Sequence, residues 1–310
     1  MIERQTTLGK KVSIDGQGLH TGKKGTMSFL PAPAGHGIKF KRIDLEGQPV
    51  IDALIENVIS TNRGTCIGKD DALVYTIEHV MAAFRGLCID NALVELNMEE
   101  IPIKDGSSKY FVEAIEEAGI VELDAEREYI VIEDTITMEI PEKKTKIEIR
   151  PSKHFSVTAI IDFESRVLGE QTAEIQDISE FKAEISSCRT FVFLHELEFL
   201  LKNDLIKGGD LNNAIVFVNR KIPQDEMDYL ADLFQKPRVM VNGSGILNNL
   251  SLYFDNEPAR HKLLDLIGDL YLLGKPLKGH VTATRPGHHA NTEFAKHILR
   301  EINQKAILND

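Results

Sequence analysis

Cysteine is scarce. The 310-residue chain holds only Cys66, Cys88 and Cys188, an odd number without close spacing, which excludes a disulfide framework and a cysteine-based zinc knuckle. That usage fits a reducing compartment, and any transition metal would have to be held by histidines and carboxylates. Long apolar runs are missing too. No stretch approaches 18 consecutive apolar residues, and Met1-Ile2-Glu3-Arg4-Gln5-Thr6 lacks the apolar core of a signal peptide, so a cytoplasmic protein is expected. Positive charge is in deficit. With 36 Lys and Arg against 48 Asp and Glu the formal charge is -12, which repels a polyphosphate backbone and argues against nucleic-acid binding. A local basic patch for a small anion is compatible with that total.

What is present belongs to a globular protein. Hydrophobic residues make up 42% and charged residues 27%, enough to build a sizeable core, and the length exceeds what one core usually fills, so two domains of roughly 150 residues are expected. The first third reads as short strands and turns. Lys10 to Ile14 alternates, Asp15-Gly16-Gln17-Gly18 suggests a turn, and Gly25 to Phe29 a further strand. Ile77, Val80, Met81 and Phe84 follow helical spacing within Tyr75 to Arg85, with Gly86 as a stop. A strand over Asn91 to Leu96, a turn over Ile101 to Ser107 and a helix over Lys109 to Ala118, closed by Gly119, come next.

The acidic segment Glu122 to Glu128 has no apolar period and reads as a linker. Beyond it lie strands at Tyr129 to Ile132, Thr135 to Ile140, Lys146 to Arg150 and Ser156 to Ile161. A helix over Glu257 to Leu273, a strand over Gly279 to Thr284 and a helix over Thr292 to Asn303 complete the pattern, with Glu170 to Glu184 as an irregular acidic elaboration. Both halves run strands, helix, strand, loop, helix, which suggests a duplicated α+β unit with domains over residues 1–124 and 129–304. The second half carries an interruption at about residues 189–219: a strand to Phe193, a short helix from Leu194 to Leu201, and a returning strand over Ala214 to Val218. Leu194, Leu197, Phe199, Leu200, Leu201, Leu205 and Ile206 are more apolar surface than so small an excursion can bury alone. Either the excursion packs on the main body, the commoner fate, or it lines an apolar groove.

Three polar clusters bear on chemistry. On the helix Glu257 to Leu273, His261, Asp265 and Asp269 recur every four residues opposite an apolar face, a spacing that lets imidazole and carboxylate converge on one ion. An exposed helix edge with ordinary charges has the same pattern. Glu78 and His79 sit among apolar Ile77, Val80, Met81, Ala82 and Ala83, where burial without a partner would be costly. A solvated Glu beside a core His is the plain alternative. If the halves are related by an internal pseudo-twofold, the two helices can face each other. His79, His261 and Asp265 would then hold a metal and leave a fourth position for water. The run Thr284-Arg285-Pro286-Gly287-His288-His289-Ala290-Asn291 lies in a loop after a strand, and one of its imidazoles could serve as proton donor with Asp269 holding it charged. Two exposed loop histidines would read the same way.

Taken together, these residues are similar to those of the UDP-3-O-acyl-N-acetylglucosamine deacetylases, zinc amidases of lipid A biosynthesis. The likeness covers essentially the whole chain. It includes Thr7-Leu8, Gly18-Leu19-His20-Thr21-Gly22, Pro31-Ala32-Pro33-Ala34, Ser60-Thr61-Asn62, Thr76-Ile77-Glu78-His79, Ile89-Asp90-Asn91 and Glu100-Ile101-Pro102-Ile103-Lys104-Asp105-Gly106-Ser107. Further on come Arg189-Thr190-Phe191, Arg260-His261-Lys262, Asp265, Ile267-Gly268-Asp269-Leu270 and Gly287-His288.

The resemblance implies two α+β domains sandwiching their helices, with a βαβ insert in the second forming an acyl passage. It implies zinc on His79, His261 and Asp265, with iron(II) compatible with the same donors. Glu78 would be the general base, His288 the second acid/base group and Asp269 its orienting carboxylate. Lys262 would be a cation near the reacting centre, Thr190 a hydroxyl at the oxyanion and Phe191 a contact to the sugar. Leu194, Leu197, Leu201, Leu205 and Ile206 would surround the acyl chain. The implied reaction is hydrolysis of the N-acetyl group of UDP-3-O-(3-hydroxyacyl)-N-acetylglucosamine, the committed step of lipid A biosynthesis, and an acylated substrate implies transient proximity to a membrane. Arg63-Gly64 and the leucine-rich insert depart from the commonest family pattern, leaving acyl length open. The family also occurs fused ahead of a dehydratase domain, so the chain could be whole or one half of such a fusion. A zinc amidase for another N-acyl sugar, or a protein with a purely structural metal, are the rival readings; oligomeric state is not encoded in these motifs.

Overall fold

A computed structural model describes residues 3–309 apart from 204, 211, 234–236, 244 and 249. The N-terminal half contains β1 (Arg4–Leu8), β2 (Val12–Gln17), β3 (Lys24–Pro31), β4 (Ile38–Arg42), β5 (Val50–Asp52), β6 (Val58–Ser60), β7 (Cys66–Lys69) and β8 (Ala72–Val74), then α1 (Glu78–Gly86), β9 (Ala92–Leu96), α2 (Lys109–Ala118) and β10 (Ile120–Glu126). The C-terminal half contains β11 (Ile130–Val131), β12 (Ile136–Ile140), β13 (Thr145–Arg150), β14 (Phe155–Asp162), β15 (Glu170–Ile175) and α3 (Phe181–Glu184). An excursion comes after these with β16 (Phe191–Phe193), α4 (Leu194–Lys202), β17 (Ile215–Phe217) and α5 (Gln224–Leu233), before α6 (Glu257–Leu270), β18 (Leu277–Thr284) and α7 (His288–Asn309).

The two main sheets repeat one topology. The first has the order β2-β3-β9-β4-β5 and the second β12-β13-β18-β14-β15. In the first, β4 and β9 are parallel and the other neighbours antiparallel. In the second, β14 and β18 take those parallel places. In each half a helix, α1 or α6, precedes the central strand and another, α2 or α7, comes after it. The duplication read from the sequence is therefore present in strand order and direction. One apolar cluster runs from Phe29, Phe40 and Val94 of the first sheet through Val80 and Phe84 of α1 and Leu263 and Ile267 of α6 to Ile147, Val157 and Val281 of the second. The helices are sandwiched between the sheets because burying an amphipathic face of each requires both.

Several boundaries differ from the sequence reading. Asp15 to Gln17 is not a turn but pairs with Lys24 to Thr26 at the end of the β2–β3 hairpin, whose turn lies beyond Gly18. Glu122 to Glu126 is not a linker either. It is strand, paired with β1, and its acids stay in solvent while the backbone supplies the hydrogen bonds. Glu170 to Ile175 is an edge strand on β14, with Ala173 and Ile175 buried and the acids outward, a period of two masked by charge. The last helix starts at His288 rather than Thr292, because Pro286 and Gly287 turn the chain straight into it and Asn291 N donates to Gly287 O at 2.8 Å. His288 and His289 therefore sit on a helix, not in a loop. In the insert, β16 and β17 are parallel with α4 between them, a βαβ unit; α5 was not anticipated.

Candidate metal centre and its cavities

Glu78 and His79 open α1, and all nine residues of that helix are buried. It crosses α6 at Gly268, where a Cβ would lie 2.0 Å from the Glu78 carbonyl oxygen. Only a residue without a side chain lets the helices approach so closely, and that approach brings Glu78 and His79 over the His261-Asp265 stripe. Nitrogen and oxygen atoms of His79, His261 and Asp265 lie within 4.8 Å of one another. Asp265 Oδ1 is 3.5 Å from Nε2 of both imidazoles, whose rings meet edge to face.

The donor set fits a divalent cation. Among the described residues no hydrogen-bond partner reaches the buried Asp265 Oδ1, a costly state unless a positive centre meets it. His261 Nδ1 donates to the Cys188 carbonyl at 3.1 Å, which leaves the Nε2 lone pair facing Asp265 and His79. Burial pushes the His261 pKa down to about 3, so the ring is the neutral ligand form. Burial would raise Asp265, but His261, Lys262 and His288 hold it well below the ordinary carboxylate range. Lys262 Nζ donates to Asp265 Oδ2 at 2.9 Å; burial disfavours its charge, yet Asp265 keeps its pKa above the ordinary lysine value.

Beside this triad lie two further buried titratable groups, Glu78 and His288. Burial raises the pKa of Glu78, against the pull of His288 and His79. Its Oε2 accepts from Thr65 N at 2.9 Å, and its Oε1 is 3.9 Å from His288 Nε2. His288 Nδ1 lies 3.0 Å from Asp269 Oδ2. Burial opposes the charge on His288, but Asp269, Asp265 and Glu78 push its pKa up to about 9. Thr65 and Asn291 were missed from the sequence. Thr65 Oγ1 donates to Asp269 Oδ1 at 2.5 Å and Asn291 Nδ2 to Asp269 Oδ2 at 2.9 Å. Asn291, three residues after His288 on α7, was open to notice; Thr65 acts across 204 residues and had no local signal.

A cavity of about 550 Å³ opens beside the centre under the insert. The family model described as UDP-3-O-acyl N-acetylglycosamine deacetylase matches residues 5–235 and 234–300. The chain belongs to this family. Curated relatives include bifunctional LpxC/FabZ enzymes of Porphyromonas gingivalis and Bacteroides thetaiotaomicron, each 46% identical over 98% of the chain and 66% of the relative. A UDP-3-O-acyl-N-acetylglucosamine deacetylase of Myxococcus xanthus is 38% identical over 96% of the chain and 87% of the relative. The chain thus spans just under two thirds of the bifunctional relatives' length. Members of this deacetylase family are metalloenzymes, in keeping with the His/Asp cluster.

Of the expected acyl-lining residues, Leu197 and Ile206 border the cavity, as do Thr190 and Phe191. Leu194 does not. It packs with Val216, Val218, Met227, Leu230 and Leu247, because the first residue of α4 faces the insert's own small core. Leu205 does not line it either; it is 36% exposed and its carbonyl oxygen is 3.3 Å from His20 Nδ1. Leu201 belongs to α4, but its side chain lies outside the described residues. Leu19, Val192, Phe199 and Leu200 line the cavity instead. Phe191 joins cavity to centre, since Lys262 Nζ is 5.6 Å from its ring centroid. A second cavity of about 730 Å³ reaches His288 and is bordered by Lys143, Lys144, Phe163 and Arg285. Among the described residues no helix is long and apolar enough to cross a membrane.

Proposed function

We propose that the protein hydrolyses the N-acetyl group of UDP-3-O-(3-hydroxyacyl)-N-acetylglucosamine to a free amine and acetate, the committed step of lipid A biosynthesis, with Zn²⁺ on His79, His261 and Asp265. The observation that carries this is the unpartnered Asp265 Oδ1 between two imidazoles, with Glu78 and the Asp269–His288 pair beside it and an apolar cavity at hand. Residues 1–124 contribute Glu78 and His79, and residues 129–304 contribute His261, Asp265 and His288. Fe²⁺ suits the same donors. A cytoplasmic location accompanies this reading.

When bound, the cation supplies acidification of water and polarisation of the amide carbonyl. Glu78, fixed at Oε2 by the Thr65 amide, has Oε1 directed toward His288 and takes the proton from the attacking water. Lys262 and Thr190 offset the charge that grows on the carbonyl oxygen. His288, held protonated against Asp269, delivers a proton to the departing amine. Leu197, Ile206 and their neighbours exclude water around the acyl chain, while Lys143 in the second cavity offers a cation to the nucleotide diphosphate, beside Lys144 and Arg285, which are paired with Glu164 and Asp162.

The test combines metal analysis with acetate release from the acylated nucleotide sugar. Glu78→Ala is expected to keep metal and fold and to lose at least about a hundredfold in kcat, whereas His261→Ala loses the metal. A fully active Glu78→Ala variant, or undiminished turnover by metal-free protein, would refute the reading.

A further inference from the structure

Arg63-Gly64 lies where the catalytic centre meets the acyl cavity. Arg63 takes φ 65°, the left-handed region in which a side chain costs free energy relative to glycine. Gly64 and Thr65 fix that conformation. At Gly64 a Cβ would stand 3.0 Å from Glu78 Oε1, and Thr65 bonds Glu78 through its amide and Asp269 through its hydroxyl. The turn is thus pinned to both carboxylates of the acid/base machinery, and Arg63 is held one step outside them. Its side chain is exposed and forms part of the wall of the 550 Å³ cavity, which it shares with Thr190, Phe191 and Leu19. Among the described residues lining that cavity it is the sole lysine or arginine.

The same wall carries Glu196 and Asp210, but among the described residues Arg63 pairs with neither, so a strained arginine on a largely apolar wall calls for an acceptor in the ligand. The proposed substrate supplies one at that place. Its acetamide and its acyl ester are carried on adjacent carbons of the sugar ring, so with the amide at the metal the first oxygens of the acyl chain fall at the cavity entrance. We propose that Arg63 is a specificity residue, donating to the ester carbonyl and 3-hydroxyl oxygens at the head of the acyl chain. The proposal rests on the deacetylase reading. It assigns the arginine to the polar head of the chain and leaves the rest of the cavity to its alkyl part.

The experiment measures kcat/KM for acetate release by the metal-loaded chain from UDP-N-acetylglucosamine, its 3-O-acyl form and its 3-O-(3-hydroxyacyl) form. In Arg63→Met the ratio of acylated to unacylated kcat/KM is expected to fall about tenfold or more, the size of one lost charged hydrogen bond, and Arg63→Lys recovers part of it. Arg63→Gly suits φ 65° and is expected to raise Tm while losing the same ratio, an outcome a structural arginine would not give. A ratio unchanged within twofold in Arg63→Met, or an equal loss on all three substrates, overturns the assignment and leaves the deacetylase reading standing. Wild-type protein that releases no acetate from any of them overturns the deacetylase reading itself.

Discussion

At the scale of single residues, the centre depends on Gly268 as much as on its ligands. A methyl group there would meet the Glu78 carbonyl at 2.0 Å, and backbone cannot swing aside as a flexible side chain can. Gly268→Ala is therefore expected to push α1 off α6, costing about 1–3 kcal/mol of stability and separating His79 from His261. Thermal melting and metal content would read both effects; a variant with wild-type Tm and full metal would show that the helices tolerate separation. His288 makes the second residue-scale prediction. Its proton is held by Asp269, Asp265 and Glu78 up to about pH 9, so a reaction needing imidazolium proceeds below that pH and fails above it. A cation on Asp265 removes part of the negative field, so the alkaline limb of kcat/KM falls at or below about 9. Asp269→Asn is expected to move that limb to lower pH. An unmoved limb would detach Asp269 from proton delivery.

At the scale of elements, the entry to β16 is clamped to the start of α6 by a buried ion pair. Arg189 Nε and Nη2 donate to Glu257 Oε1 and Oε2 at 2.8 and 3.0 Å, and the amides of Arg189 and Tyr253 donate to the same carboxylate. The preceding residue, Cys188, offers its carbonyl to His261, and the next two, Thr190 and Phe191, face the cavity. Glu257→Gln leaves a buried guanidinium short of its counter-ion, and the loss is expected to be about 3–5 kcal/mol. Because the Cys188 carbonyl shifts with it, metal affinity measured by chelator competition should fall about tenfold or more. Lost stability with undiminished affinity would limit the pair to holding the fold. The same region shows what the sequence could reveal. The His261-Asp265-Asp269 stripe was readable because its spacing is local to one helix, and so was the βαβ insert, bounded by clear strand signals. Which side of α4 faces the cavity was legible only in part: Leu197 lines it as expected, but Leu194, at the apolar start of the helix, has no period that separates it from Leu197. The start of α7 was misplaced because Pro286-Gly287 reads equally as loop or as entry into a helix.

At the scale of the whole molecule, two copies of one topology meet along α1 and α6, and each supplies part of a centre that neither holds alone. The sequence suggested the duplication from element order, but not the contacts of Thr65, whose partners on the other half are set only by tertiary packing. The apolar cluster crossing the seam does not include His79, His261 or Asp265, so the chain has a reason to stay folded without a cation. A cation that binds only the folded state adds about 2.7 kcal/mol when free metal is a hundredfold above its Kd. For a chain of 310 residues, whose unfolding entropy is about 2.1 cal/mol/K per residue, that corresponds to roughly 4 °C in Tm. Chelation is therefore expected to lower Tm by that amount, keep a cooperative melt, and be reversed by added Zn²⁺. Outright unfolding on chelation would assign the metal a structural role, and an unchanged Tm would mean that His79, His261 and Asp265 bind no cation.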